Sequence, residues 1–175
     1  MPDLKDIPDD VKWRLAAQCA ATLPSLYDAT FRSVVGAQYD EREQELWMAL
    51  SRMVRDIVQD LAFPVKTASD LTNSVQTVIT ILFGPEYRME TFEVSDDSAV
   101  ILIKRCPFLV HGGNAVAVPK GFFSRCMALT LTTIPLLNKN YSARYVRSMC
   151  MGDRQCEIKI EVQNSSVEEK NTKMK

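Results

Sequence analysis

The chain has 175 residues, 46% of them hydrophobic and 25% charged, enough for one domain with a real core and without the composition of a disordered or fibrous protein. Its net charge of −1 excludes a general electrostatic attraction to nucleic acid or to a membrane surface. No stretch is long and apolar enough to span a bilayer, and the acidic first residues do not read as a signal peptide, so a cytoplasmic location is expected.

Asp9 or Asp10 can cap a first helix with Val11, Leu15, Cys19 and Leu23 as its apolar positions. Pro24 is suited to open a second helical piece, with Leu26, Tyr27, Phe31, Val34 and Val35 at helical spacing and Gly36 as its end. Cys19, set among alanines, reads as helix packing. From about Asp40 to Leu61 the apolar positions Leu46, Leu50, Met53, Val54, Ile57, Val58 and Leu61 predict one helical stripe, with acidic residues in the first turns. A Thr67/Ser69 cap then starts a helix that turns Leu71, Val75, Val78, Ile79 and Leu82 inward and stops at Gly84-Pro85. These helices read as scaffold, with a homodimer surface as one use for them.

After Gly84-Pro85 the pattern changes. Tyr87 to Val94 and Ala99 to Arg105 read as strands joined by Ser95-Asp96-Asp97-Ser98. Pro107 ends the second, and His111-Gly112-Gly113-Asn114 reads as a loop. Pro119 to Ile134 is helical, with Phe122, Cys126, Leu129 and Thr133 on one stripe. The strand-like runs Tyr141 to Met149 and Glu157 to Val162 then flank Cys150 and Cys156, with Gly152-Asp153 as turn residues. The expected fold class is α+β, with N-terminal helices packed on an antiparallel sheet, one crossing helix and a C-terminal hairpin. A single domain covers 1–163, helical over 1–84 and sheet-containing and cysteine-rich over 85–163. Residues 164–175 form a polar tail expected to be disordered.

The cysteines carry the chemistry that the sequence offers. Five cysteines in a reducing compartment read as buried thiols, metal ligands or redox groups rather than a disulfide framework. Cys106, Cys126, Cys150 and Cys156 supply the soft donors that Zn²⁺ takes in tetrahedral sites, and an iron–sulfur cluster is the alternative occupant. The spacing of Cys150 and Cys156 permits a paired site without imposing one: a three-residue turn places them on one face, a two-residue turn on opposite faces. Cys106 also allows a nucleophile reading with His111 as base. Arg105 and Lys120 could hold an anionic ligand.

Ile103-Lys104-Arg105-Cys106-Pro107, the helical Cys126 and Cys150-Met151-Gly152-Asp153-x-x-Cys156 together resemble the L-2-amino-thiazoline-4-carboxylic acid hydrolase-like family. They are also similar to the 4-vinyl-reductase domain and its methanogen output relatives. The resemblance covers roughly residues 84–162. It implies an α+β fold and, in the sensory members, a zinc held by a helical cysteine, a glutamate and two hairpin cysteines. Cys126, Cys150 and Cys156 match three of these ligands. Arg147 stands at the glutamate position and cannot ligate, which leaves Cys106 as the replacement. The expected function is a small cysteine-rich zinc-binding or small-ligand-binding protein, with two alternatives. One is a metal- or cysteine-dependent hydrolase of a cyclic thiazoline or amide, the other a structural dimerisation module or iron–sulfur protein. The expected partners are a small-molecule ligand or substrate and a second copy of the chain.

Overall fold

The computed structural model describes residues 3–109 and 121–163. It is an α+β fold in which helices cover one face of a four-stranded antiparallel sheet. The order is α1 (Asp9–Val35), α2 (Tyr39–Asp60), α3 (Ala68–Phe83), β1 (Arg88–Ser95), β2 (Ser98–Arg105), α4 (Phe122–Leu137), β3 (Tyr141–Arg147) and β4 (Cys156–Val162). In space the strands run β1-β2-β4-β3, so α4 is the crossing helix that carries the chain to the far edge.

The buried face of the sheet follows from period-two alternation. Ala99, Ile101 and Ile103 of β2 are buried and stand opposite Ile160, Ile158 and Cys156 of β4. α3 lies on β1 and β2, α4 lies on β3, and α2 packs across α4 and α3. Leu71, Val75, Val78 and Ile79 enter the core as their helical spacing predicts. Thr67 and Asp70 close a capping box at the start of α3, and Gly84 ends it at φ +86°.

Four helix expectations need correction. The two N-terminal pieces are a single helix, with Pro24 inside α1 rather than at a new start. Neither Asp9 nor Asp10 is the cap; both lie in the first turn after Pro8. The buried face of α1 is Ala17, Ala21 and Asp28, whereas Leu15 and Cys19 are exposed. The physical reason is a close crossing: a Cβ on Gly84 would come within 2.9 Å of the Ala17 Cβ, so only small residues fit where α1 passes the end of α3. On α2 the buried centre is Trp47, Ser51, Val54 and Val58, while Leu46, Met53 and Leu61 from the expected stripe face outward.

The β3–β4 connection also differs from a tight hairpin. β3 stops at Arg147, and Met149–Met151 forms a short 3-10 turn closed by Gly152 at φ +101°. The Ser148 amide donates to the Asp153 carboxylate at 2.8 Å, and the Met149 amide donates to Cys156 Sγ at 3.3 Å. Cys150 therefore sits in the turn rather than across a ladder from Cys156, whose partner in the sheet is Ile103.

Candidate functional site

Behind the sheet, between α2, α3, α4 and the strands, lies a void of about 40 Å³ lined mostly by apolar side chains. Trp47, Ile79, Phe83, Tyr87, Phe108, Cys126 and Tyr145 are among its walls. The aromatic members interlock. Phe83 and Phe108 meet nearly edge to face with centroids 4.8 Å apart, and Trp47 stands perpendicular to Phe108 at 5.7 Å. Of the polar side chains in the lining, the Thr130 and Tyr145 hydroxyls lie 3.1 Å apart and Thr133 donates to the Leu129 carbonyl at 2.7 Å. A void of this size holds about one water molecule.

Phe83 also lines a second and larger space, a surface cleft of about 360 Å³ beside α1. Its polar walls include Arg14, Gln18 and Thr22 of α1, with Glu86 and Arg105 across from them. Arg105 pairs with Glu86 at 2.8 Å. Arg105, expected to hold an anionic ligand, lines this cleft with its charge already shared with a carboxylate. Lys120 and His111 lie outside the described residues.

The four cysteines of the expected metal site do come near one another. The ionisation of Cys126 is opposed by Cys106, Cys150 and Cys156, and that of Cys106 by Cys150 and Cys156. Yet among the described residues no group of three or more His, Cys, Asp or Glu side chains is placed to hold a metal ion. The chain leaves β2 at Cys106, Cys126 borders the void, Cys150 sits in the 3-10 turn, and Cys156 is fixed by the Met149 amide. The four-thiolate centre is therefore a correction: these thiols form no ligand group among the described residues.

Burial also shapes what these thiols can do. It pushes Cys106 up to about 12 and Cys126 well up, and raises Cys150 and Cys156 as well. At neutral pH they are protonated and weakly nucleophilic. All five cysteines are free thiols, and Cys19 is the exposed one.

A separate polar cluster joins α1, α2 and α4. Arg125, 1% exposed, pairs with the buried Asp28, and its Nε lies 2.6 Å from Glu43 Oε2. Arg32 bridges Asp28 and Asp40, while the Tyr39 hydroxyl donates to Glu43 at 3.3 Å. Burial raises the Glu43 carboxyl, with Arg125 pulling the other way, and burial pushes Tyr39 up to about 12. The guanidinium of Arg125 stacks on the Phe122 ring at 4.4 Å. No sequence pattern marks this cluster, because Asp28 and Arg125 are 97 positions apart.

With its apolar inner face turned away, α1 presents a second stripe to solvent. Leu23, Tyr27, Phe31 and Val34 are 37%, 51%, 47% and 81% exposed, and the rings of Tyr27 and Phe31 lie 6.1 Å apart. Positions four, four and three residues apart share a helix face.

No family profile matches the chain. Nor does any curated protein match it in sequence. Among solved structures the fold is similar to a trafficking protein particle complex subunit 3 from Naegleria fowleri, determined covalently bound to palmitic acid. The identity is 14%, the TM-score 0.51, and the alignment covers 89% of this chain and 98% of that one. At that identity the likeness shows the fold. It nevertheless overturns the resemblance to the thiazoline hydrolase-like and 4-vinyl-reductase groups, since the similar architecture is that of a trafficking-complex subunit. Together with the absence of a ligand group for metal among the described residues, it also removes the zinc-binding and hydrolase readings. No helix among the described residues is long and apolar enough to cross a membrane.

Proposed function

We propose that this chain is an assembly module of the trafficking-subunit kind, working in the cytoplasm and pairing with a second copy of itself through α1. The observation that carries this reading is the exposed Leu23, Tyr27, Phe31, Val34 stripe. Apolar and aromatic side chains aligned on one helix face are characteristic of surfaces that close on a partner. α1 runs 27 residues, about 40 Å at the helical rise. A stable pair needs roughly 800 Å² per partner, and a stripe running along much of this helix is the surface that would supply it. Protein partners replace the small-molecule substrate expected with the hydrolase reading. Sedimentation equilibrium of the full chain at micromolar concentrations tests this: the expected mass is that of a dimer, and a monomer throughout, with a preference for some other subunit, would contradict pairing with itself.

A second reading is favoured by the aromatic-lined void, namely that the core accepts an acyl chain. The relative's bound palmitic acid motivates it, and the apolar, aromatic lining supports it. The raised thiols favour a chain held without a covalent bond. At about 40 Å³ the void is far below the roughly 300 Å³ at which ligand pockets begin, so the core must part to admit a chain. Native mass spectrometry of protein purified from cells checks this; a retained fatty acid that leaves on denaturation is the expected result, and a thioester-bound one would contradict the non-covalent form.

A further inference from the structure

The cleft and the void touch at a single aromatic residue, and their chemistries are complementary. Phe83, 7% exposed, forms a wall of both. On one side of its ring stand Arg14, Gln18, Glu86 and Arg105; on the other lies the apolar core. We infer that the cleft beside α1 receives the carboxylate of a long-chain fatty acid, whose tail passes Phe83 into the core void. This rests on the reading that the core accepts an acyl chain, and adds where the chain enters and what its head must be.

Charge identifies the head. Arg105 is paired with Glu86, whereas Arg14 has no recorded partner among the described residues. Two guanidinium groups and one carboxylate leave the cleft with one uncompensated positive charge, which a monoanion balances. A guanidinium is the side chain best shaped to take a carboxylate through two parallel hydrogen bonds. The Gln18 amide, also without a recorded partner, adds a neutral donor on the same helix, one turn from Arg14.

Size identifies the route. At about 360 Å³ the cleft is already within the range of ligand pockets, while the void is not. A head group therefore fits the cleft as it stands. Among the described residues only Phe83 lines both spaces, so its ring must turn for them to join, and the core must part beyond it to take the chain. Pro107 on the cleft wall and Phe108, next in the chain and on the void wall, continue the apolar surface past Phe83.

The test uses the two tryptophans of the chain, Trp13 and Trp47. Trp47 lines the void, so the full-length Trp13→Phe protein reports chain entry through quenching by hexadecanoate brominated near its methyl end. Saturable quenching is expected. Arg14→Gln with Arg105→Gln should weaken the carboxylate about tenfold, as loss of a charged hydrogen-bonding pair does. Brominated hexadecanol, which lacks the charge, should bind equally before and after that change, and this shows that the double variant still folds and still admits a chain. Equal affinity of both proteins for the carboxylate would overturn the head site and leave the acyl reading standing. Tighter binding of a brominated lysophosphatidate would overturn the carboxylate assignment. No quenching by either probe would overturn both.

Discussion

Arg125 on α4 and Asp28 on α1 form an ion pair sealed from solvent, with side chains 1% and 4% exposed. The pair fixes the rotation of α1 about its own axis. With Asp28 turned inward, Tyr27 and Phe31 lie on the adjoining flank of α1, half exposed, so the pair helps set which face α1 turns to solvent.

Breaking this pair from one side should be costly. Asp28→Leu leaves Arg125 with only Glu43 as a counter-charge, and Arg125→Met leaves Glu43 without its guanidinium partner and Asp28 with Arg32 alone. Each single change should lower unfolding stability by about 3–5 kcal/mol, whereas the double change should recover much of that loss. Urea denaturation of the four proteins measures the coupling. Additive losses would mean that the two side chains do not stabilise α1 through each other.

The buried thiols make stability fall in alkali. Cys106 has its folded-state pKa raised from 9.0 to about 12 by burial, so the folded form holds its proton more tightly than the unfolded chain. That contribution is fully present below about pH 9 and is lost as pH rises towards about 12. A tenfold difference in ionisation constant corresponds to about 1.4 kcal/mol, so the loss is on the order of 4 kcal/mol at most. Melting temperatures between pH 8 and 12 should fall less steeply in Cys106→Ala than in the parent chain. Parallel curves would remove Cys106 as a source of the effect.

Thiol modification separates Cys19 from the other cysteines. Only Cys19 is exposed, while Cys106 and Cys156 are buried and Cys126 and Cys150 are partly covered. Brief treatment of native protein with iodoacetamide at neutral pH should add one label, on Cys19, and denatured protein should take five. Rapid native labelling at Cys106 would contradict the burial and the raised thiol described for it.

Pro24 inside α1 removes a backbone donor and crowds the preceding turn. Pro24→Ala should raise stability by about 1–3 kcal/mol, read by urea denaturation, if α1 is continuous through this point. A neutral or destabilising result would mean that the proline sets a bend the packing requires.

Much of the fold was legible because its signals are local. The capping box of Thr67 and Asp70 marks the start of α3, and the period-two alternation of Ala99, Ile101 and Ile103 marks the inner face of β2. The crossing helix between β2 and β3 follows from the run after Pro119. The inner face of α1 was not legible, since it consists of alanines and an aspartate. Its burial is dictated by the close approach of Ala17 to Gly84 and by the distant Arg125. The site was read less well. The sequence groups Cys106, Cys126, Cys150 and Cys156 as one ligand set only through the family resemblance, and ligation needs sulfur atoms aimed at one point, which no group among the described residues provides. The 3-10 turn that takes Cys150 out of the strand is set by Ser148 and Asp153, residues that carry no metal signal. The void could not be read at all, because it is assembled from residues as far apart as Trp47 and Tyr145.

The central claim is that α1 is a pairing surface. Its most direct measurement is sedimentation equilibrium of Tyr27→Asp/Phe31→Asp beside a control, Val146→Asp, which places the same charge at a 44% exposed position on β3. The account predicts that the α1 variant sediments as a folded monomer while the parent and the control sediment as dimers. Dimers in all three proteins, or dissociation by the control as readily as by the α1 variant, would contradict it.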